Sequence, residues 1–197
     1  YVFGSLQGRR AVPGMYQVRL TVGDWSMVQP LEVRMDPRAG ATLADYREQD
    51  AFVAEVAEEL TEIHRSAALA QDVREQIEGL LDRLEGREDI EPVAEAGGTL
   101  ARDLEVVADS LYQSRTVDGQ TVINFPTRLK FQYVWLHGNA DGADAGVSRG
   151  SRDVLRDLRL RWTTHRATVE ELLGERLEDF NNLVREVGFS TIIPPIP

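Results

Sequence analysis

A single apolar stripe, running from Tyr46 to Leu84 in steps of mostly three and four residues, constrains the fold more than any other feature. This spacing places its members on one face of an α-helix. Thr42 and Asp45 match a capping box at the start, and Gly86 is typical of a helix end. The sequence therefore predicts one long helix with a buried stripe. Its members are Tyr46, Val53, Val56, Leu60, Ile63, Ala67, Ala70, Val73, Ile77, Leu81 and Leu84.

Acidic residues occupy the remaining positions of this helix and indicate its solvated face. Glu58, Glu59 and Glu62 are examples that flank Leu60. If Leu60 is a core residue, its replacement by alanine costs about 2–5 kcal/mol. The same pattern predicts that Glu59→Ala is nearly silent, because a solvated carboxylate makes few contacts.

Three further helices are predicted downstream. A stripe from Val93 to Leu111 marks the second helix, although the Gly97-Gly98 pair weakens it. Pro126 is predicted to open a short third helix, with a small hairpin or tight turn at Asp118-Gly119 before it. The stripe of the last helix is Leu155, Leu158, Trp162, His165, Val169, Leu173, Leu177, Phe180, Val184 and Val187. Gly188 is a left-handed stop, and an extended tail follows.

The helix lengths predict a long antiparallel bundle. At 1.5 Å per residue the first helix spans about 63 Å and the last about 54 Å, while the second and third together span roughly 56 Å. The two short helices can therefore form one interrupted column, which gives three columns. A four-helix bundle, in which the third helix doubles back, is the alternative.

The first 38 residues carry the two-residue period of β-strands. Apolar residues alternate with polar ones from Tyr16 to Val22, Gly23-Asp24 turns the chain, and one parity is again apolar from Trp25 to Met35. Pro30 indicates a sheet edge or a bulge. With Tyr1–Phe3 as a further candidate strand, the set falls short of the ~7 strands of an immunoglobulin-like sandwich. The prediction is a partial β-sandwich at 1–38 and a helical bundle at 39–197.

Charge and composition exclude several partners. The formal net charge of −11 disfavours binding to nucleic acid or to anionic lipid. The chain has no cysteine, which excludes disulfides and thiolate sites, and no apolar run approaches the ~20 residues of a membrane span. Because it begins at Tyr1 without a signal segment, the chain is expected to be a fragment of a longer protein.

The motifs that carry chemistry all favour structural interpretations. Gly146 to Gly150 match the G-x-S-x-G of a hydrolase elbow, but no strand precedes Ser148, which suits a helix cap better. His64, His137 and His165 lack the glutamate spacing of metal sites in bundles. The acidic loop residues Asn139, Asp141 and Asp144 do not follow the order of an EF-hand. No catalytic, cofactor-binding or metal-binding residue is therefore predicted.

One resemblance to a known family covers most of the chain. Residues 11–23, AVPGMYQVRLTVG, with Gln29-Pro30-Leu31-Glu32-Val33 and Asp36-Pro37-Arg38, resemble the segment that ends large bacterial sortilin-like, BNR-repeat proteins, often labelled glycosyl hydrolases. Residues 122–126 and 184–188 also resemble that family. The resemblance implies a secreted β-propeller, then an immunoglobulin- or fibronectin-like strand segment, then a helical C-terminal region.

What the resemblance implies about function is an expectation. The chain would be a non-catalytic C-terminal module, structural or interaction-mediating, of an exported bacterial protein. Its partners would be its own upstream propeller, another protein or a second copy of itself. The alternative is part of a glycosyl hydrolase or other hydrolase, whose active site lies in the propeller or uses Ser148.

Overall fold

A computed structural model describes residues 8–87, 90–113 and 125–194. The chain is mainly α-helical, a helical bundle preceded by a β-hairpin, which confirms the predicted fold class. The elements are β1 (Gly14–Val22), β2 (Trp25–Val33), α1 (Leu43–Leu84), α2 (Glu91–Leu111), α3 (Leu129–Asp141), α4 (Arg149–Glu171), a π-helical turn (Leu172–Arg176) and α5 (Leu177–Glu186). No helix among the described residues is long and apolar enough to cross a membrane.

Helix α1 begins and ends as its sequence predicts. The backbone N–H of Asp45 donates to Thr42 Oγ1 at 3.3 Å, and the Asp45 carboxylate accepts the backbone N–H of Thr42 at 2.7 Å. These two bonds form the reciprocal capping box. At the other end Gly86 has a φ of +85°, which a glycine adopts without steric cost.

The buried stripe of α1 differs from the predicted one at two positions. Leu60 and Leu81 are only partly buried, whereas Phe52 and Leu80 lie in the core. The period of an α-helix is 3.6 residues, so a stripe of three- and four-residue steps moves gradually around a long helix. Two neighbouring positions can then both lie at the edge of the buried face. The remaining members of the predicted stripe are buried.

Helix α2 packs closely on α5 at a glycine. A Cβ atom added at Gly97 would lie 2.8 Å from Phe180 Cε2 and 3.1 Å from a methyl carbon of Leu81. At Gly98 a Cβ would meet nothing within 4 Å. The two neighbouring glycines therefore have different roles, since only Gly97 permits the close approach.

Alanine substitutions at these two glycines are expected to have opposite effects on stability. Gly97→Ala should lower the free energy of unfolding by about 1–3 kcal/mol, because the added methyl overpacks the contact with Phe180. Gly98→Ala should raise it by up to about 1 kcal/mol through helix propensity. Urea unfolding followed by circular dichroism measures both. Effects of the same sign would contradict the packing described for Gly97.

The last helix is interrupted, which the sequence did not predict. The π-helical turn at Leu172–Arg176 carries one extra residue per turn and changes the register between α4 and α5. Leu172 is consequently buried in place of the predicted Leu173, and the next buried residue is Leu177. Gly188 has a φ of +82°, and Phe189 N–H donates to Val184 O at 3.1 Å, as in a Schellman motif.

The start of α3 and the packing of the C-terminal tail can also be compared with the sequence predictions. Helix α3 begins at Leu129 rather than at Pro126. In the tail, Ile192 is 6% exposed and exchanges two hydrogen bonds with the Asn181 side chain. The predicted strand at Tyr1–Phe3 and the predicted turn at Asp118-Gly119 lie outside the described residues.

The chain forms two compact units. The first contains residues up to Glu58 together with Val134–Leu155, and the second contains Glu59–Tyr133 and the residues from Arg156 onward. All of α2 belongs to the second unit, whereas most of α3 belongs to the first. The hairpin therefore belongs to the same unit as the first turns of α1. The boundary between residues 38 and 39 stays a prediction.

Candidate functional site: the exposed face of the hairpin

The register of the hairpin places most of its large apolar residues on one face, while Met15 and Val28 lie on the other. Gly23 and Asp24 form the two-residue turn, and only Gly23 has a positive φ, +56°, as in a type II′ turn. Tyr16 then pairs with Leu31, and Val22 pairs with Trp25. Because side chains alternate across a strand, one face presents Tyr16, Val18, Leu20, Val22, Trp25, Met27 and Leu31. We call these seven residues the hairpin face.

The hairpin face is exposed. The exposed fraction ranges from 39% at Tyr16 to 64% at Val22, and Trp25 is 52% exposed. Seven side chains of this size together expose on the order of 700 Å², more than the roughly 300–600 Å² of the largest apolar patch on a typical monomer. Apolar patches of this size are typical of interaction surfaces in general. No described residue covers this one.

The base of the hairpin, in contrast, is fixed to helices of the same unit. Arg9 pairs with Asp50 of α1 at 2.7 Å, and Arg10 pairs with Asp144 at 2.6 Å. Arg10, Asp50 and Asp144 line a small cavity of about 80 Å³, together with Val12 and Val33. The segment before β1 therefore anchors the hairpin, while the strands beyond it stay exposed.

The acidic loop before α4 has a structural role. Asp141 accepts the backbone N–H of Arg10 at 3.4 Å, and Asp144 is paired with the same arginine. The Gln49 side chain donates to the backbone oxygens of this loop, to Ala143 O at 2.6 Å. In the part of the chain that the structure describes, no cluster of histidine and carboxylate side chains is arranged to hold a metal ion.

A partly buried polar network in the second unit corrects the interpretation of Glu59 as a solvated residue, because the Glu59 side chain is only 18% exposed. Tyr133 is fully buried, and its hydroxyl donates to Glu59 Oε2 at 2.8 Å. Arg159 Nε donates to Glu59 Oε1 at 2.6 Å. Burial, followed by the bond to Glu59 and its charge, raises the pKa of Tyr133. The carboxylate therefore ties α3 and α4 to α1, and Glu59→Ala would leave the tyrosine hydroxyl without this partner.

His64 and Lys130 are two further polar groups inside this unit. Burial, with a smaller contribution from the charge of Lys130, lowers the pKa of His64 to about 4. His64 Nε2 is buried and has no hydrogen-bond partner among the residues that the structure describes. Lys130, the only lysine in the chain, is 6% exposed and its ammonium lies 4.2 Å from the centre of the Tyr112 ring. Both groups lie among core residues, and burial lowers the pKa of Lys130 as well.

The lowered pKa of His64 predicts a loss of stability in weak acid. Between about pH 6.5 and pH 4 the unfolded chain binds a proton at this histidine and the folded chain does not, so stability falls as the pH falls. The loss is on the order of 2 kcal/mol. Urea unfolding at several pH values measures it, and His64→Phe should flatten the curve in this interval by that amount. An unchanged curve would contradict the burial of this side chain.

Ser148 is a helix cap, as the sequence predicts. Its Oγ accepts the backbone N–H of Ser151 at 3.0 Å and lies 2.9 Å from Ser151 Oγ. Helix α4 begins at the next residue, Arg149. The serine that matches the hydrolase pattern therefore satisfies a free N–H at a helix N-terminus.

Replacing Ser148 by alanine is expected to affect stability only. The lost cap should lower the free energy of unfolding by about 1 kcal/mol. Ser148→Asp, which can cap equally well, should restore it. Urea unfolding measures both variants. If any esterase turnover of the purified chain disappeared in both variants with the fold intact, Ser148 would be a nucleophile and the cap interpretation would be insufficient.

The other two histidines lie on different helices. His165 is partly buried on α4, where burial and then the charge of Arg161 lower its pKa. His137 is partly buried on α3. The partial burial of His165 agrees with its place in the predicted stripe of the last helix. The Glu59 network was missed because its glutamate lies one position from the predicted stripe and the partners are distant in sequence.

Comparisons of the chain with protein-family models, with curated proteins and with solved structures found no match. The hairpin face, with its anchored base, is therefore the feature of the molecule from which a function can be argued.

Proposed function

We propose that this chain is a non-catalytic C-terminal module, structural or interaction-mediating, of a larger exported β-propeller protein. The observation that carries the proposal is the hairpin face. A two-stranded sheet with one apolar face is marginally stable by itself in water, and natural sheets bury such a face against a second layer. In this proposal, other parts of the parent protein supply that layer.

The energy available at the hairpin face is large enough to hold two parts of a protein together. Burial of apolar surface contributes about 25 cal/mol per Å², so covering ~700 Å² contributes on the order of 10 kcal/mol before the cost of association. The bundle buries its own stripes, from Val53 on α1 to Val184 on α5. In this proposal the bundle serves as a support, and the base of the hairpin is held by the ion pairs of Arg9 and Arg10.

The resemblance to sortilin-like, BNR-repeat proteins supports the same proposal. It falls most clearly on residues 11–23 and 29–33, which include all of β1 and the last five residues of β2. In that family a strand segment lies between a secreted propeller and a helical region. The proposed location of the protein is therefore extracytoplasmic, and any sugar chemistry belongs to the propeller.

The complete reading frame and the location of its product test this proposal. We expect β-propeller repeats upstream of Tyr1 and a product recovered outside the cytoplasm. Any glycosidase or esterase turnover of that product should be unchanged by Ser148→Ala. A reading frame without propeller repeats, or a cytoplasmic product, would overturn the proposed parent.

A further inference from the structure

The turn determines which backbone groups of the hairpin are left unpaired. In a two-residue hairpin the pair that closes the turn, here Val22 and Trp25, is hydrogen-bonded, and bonded pairs then alternate with non-bonded ones. Residues in non-bonded pairs direct their N–H and C=O groups away from the partner strand. The non-bonded pairs are Thr21 with Ser26, Arg19 with Val28, Gln17 with Pro30, and Met15 with Glu32.

The two outer edges of the hairpin are chemically different. Pro30 occupies one of the outward positions of β2, and proline has no N–H to donate. The middle of the outer edge of β2 therefore lacks a donor, as is common where natural sheets end. On β1, all four outward residues, Met15, Gln17, Arg19 and Thr21, keep their donors. The edge of β1 is the one able to continue the sheet.

We infer that a β-strand from another part of the parent protein adds to the outer edge of β1, while β2 remains the end of the sheet. This inference rests on the proposed function and gives the position and chemistry of the partner. The added strand is an extended segment with alternating apolar residues, which continue the row of Tyr16, Val18 and Leu20. A facing apolar sheet from the same source then covers the enlarged face.

A second copy of the chain satisfies these requirements less well. The hairpin face offers ~700 Å² per partner, close to the roughly 800 Å² per partner of a standard interface. If two copies stack their faces, both β1 edges stay unpaired. If two copies pair their β1 edges as antiparallel strands, both apolar faces lie on the same side of the new sheet and stay exposed. A different sheet-forming segment can provide the edge pairing and the cover together.

Hydrogen exchange of the backbone amides tests the inference in the complete gene product and in this chain alone. We expect the amides of Met15, Gln17, Arg19 and Thr21 to exchange roughly 100-fold or more slowly in the complete product. The amides of Ser26 and Val28 on β2 should exchange about equally fast in both. Protection of β2 instead of β1, or of neither edge in the complete product, would overturn the inference.

A matched pair of proline variants tests it independently. Arg19 and Val28 face each other in one non-bonded pair, so Arg19→Pro and Val28→Pro each remove an outward donor and leave the ladder between the strands intact. In the complete product, Arg19→Pro should abolish the protection of the other β1 amides, whereas Val28→Pro should preserve it. Equal effects would overturn the inference.

The outcomes separate this inference from the proposed parent. Absence of propeller repeats would overturn the parent alone, provided that the β1 amides of the complete product are protected by some other upstream strand. Sedimentation of this chain over a range of concentrations measures whether the isolated chain forms a dimer. A dimer of the isolated chain in which the β1 amides are already protected would show that a second copy is the partner, and the inference would be wrong.

Discussion

Replacing Phe180 by alanine is expected to lower the free energy of unfolding by about 3–5 kcal/mol. Phe180 is 2% exposed, and its ring fills the space opposite Gly97 where α2 and α5 approach. Deleting the ring removes its buried area and leaves a cavity, which rigid helices cannot fully close. Urea unfolding at neutral pH measures the change as a shift of the midpoint with little change in slope.

A matched control for Phe180→Ala is Leu160→Ala. Leu160 lies on α4 and is 67% exposed, so its loss should change the free energy of unfolding by no more than about 0.5 kcal/mol. If Phe180→Ala cost less than Leu160→Ala, the packing of α2 on α5 could not be as described.

Ile63→Ala is expected to cost about 2–5 kcal/mol, and clearly more than Leu60→Ala. Ile63 is 0% exposed, whereas Leu60 keeps part of its side chain in water. The sequence alone predicts core positions for both residues. The two variants therefore distinguish the buried face seen in the structure from the face predicted by the apolar stripe. Chemical unfolding of the two variants under identical conditions provides the comparison. If Leu60→Ala lowered the free energy of unfolding more than Ile63→Ala, the buried face of α1 would be displaced by about one residue from the face described.

Most of the helical architecture could be predicted from the sequence, because local rules decide it. The capping box at Thr42 and the glycine stops at Gly86 and Gly188 are where local chemistry places them. The stripe of α2 is buried from Val93 to Leu111. In each case a short segment of sequence contains the physical cause, either a cap, a left-handed glycine or a helical period.

Features that depend on distant residues could not be predicted in this way. The π-helical turn at Leu172–Arg176 shifts the register by one residue, and α3 begins at Leu129 although Pro126 is a suitable first residue. The partners of Glu59 are Tyr133 and Arg159, which follow it by 74 and 100 residues. Tertiary packing outweighs local propensity at these positions, and a single sequence does not show which distant groups meet.

The candidate site was partly predictable. Alternation from Tyr16 to Val22 predicts an apolar face, and Gly23-Asp24 predicts the turn that sets the register. The exposure of that face is a property of the fold, because alternation does not show whether another element covers the apolar side. Tyr16, Trp25 and Leu31 are 39%, 52% and 47% exposed. The chemical difference between the two outer edges could be recognised only from the observed pairing of Gln17 with Pro30.

We propose that another part of the parent protein covers the hairpin face. The chain contains no cysteine, so Leu20→Cys places a single thiol on that face and Val106→Cys places a matched thiol on α2, where Val106 is 62% exposed. Reactivity towards a thiol reagent reports accessibility when the two positions are compared in the same buffer.

The decisive measurement is the modification rate of these two thiols in the isolated chain and in the complete gene product, with the unsubstituted product as the background. We predict that both thiols react at similar rates in the isolated chain, and that Leu20→Cys alone reacts at least about tenfold more slowly in the complete product. A Leu20→Cys thiol that remains as reactive as Val106→Cys in the complete product would contradict the account.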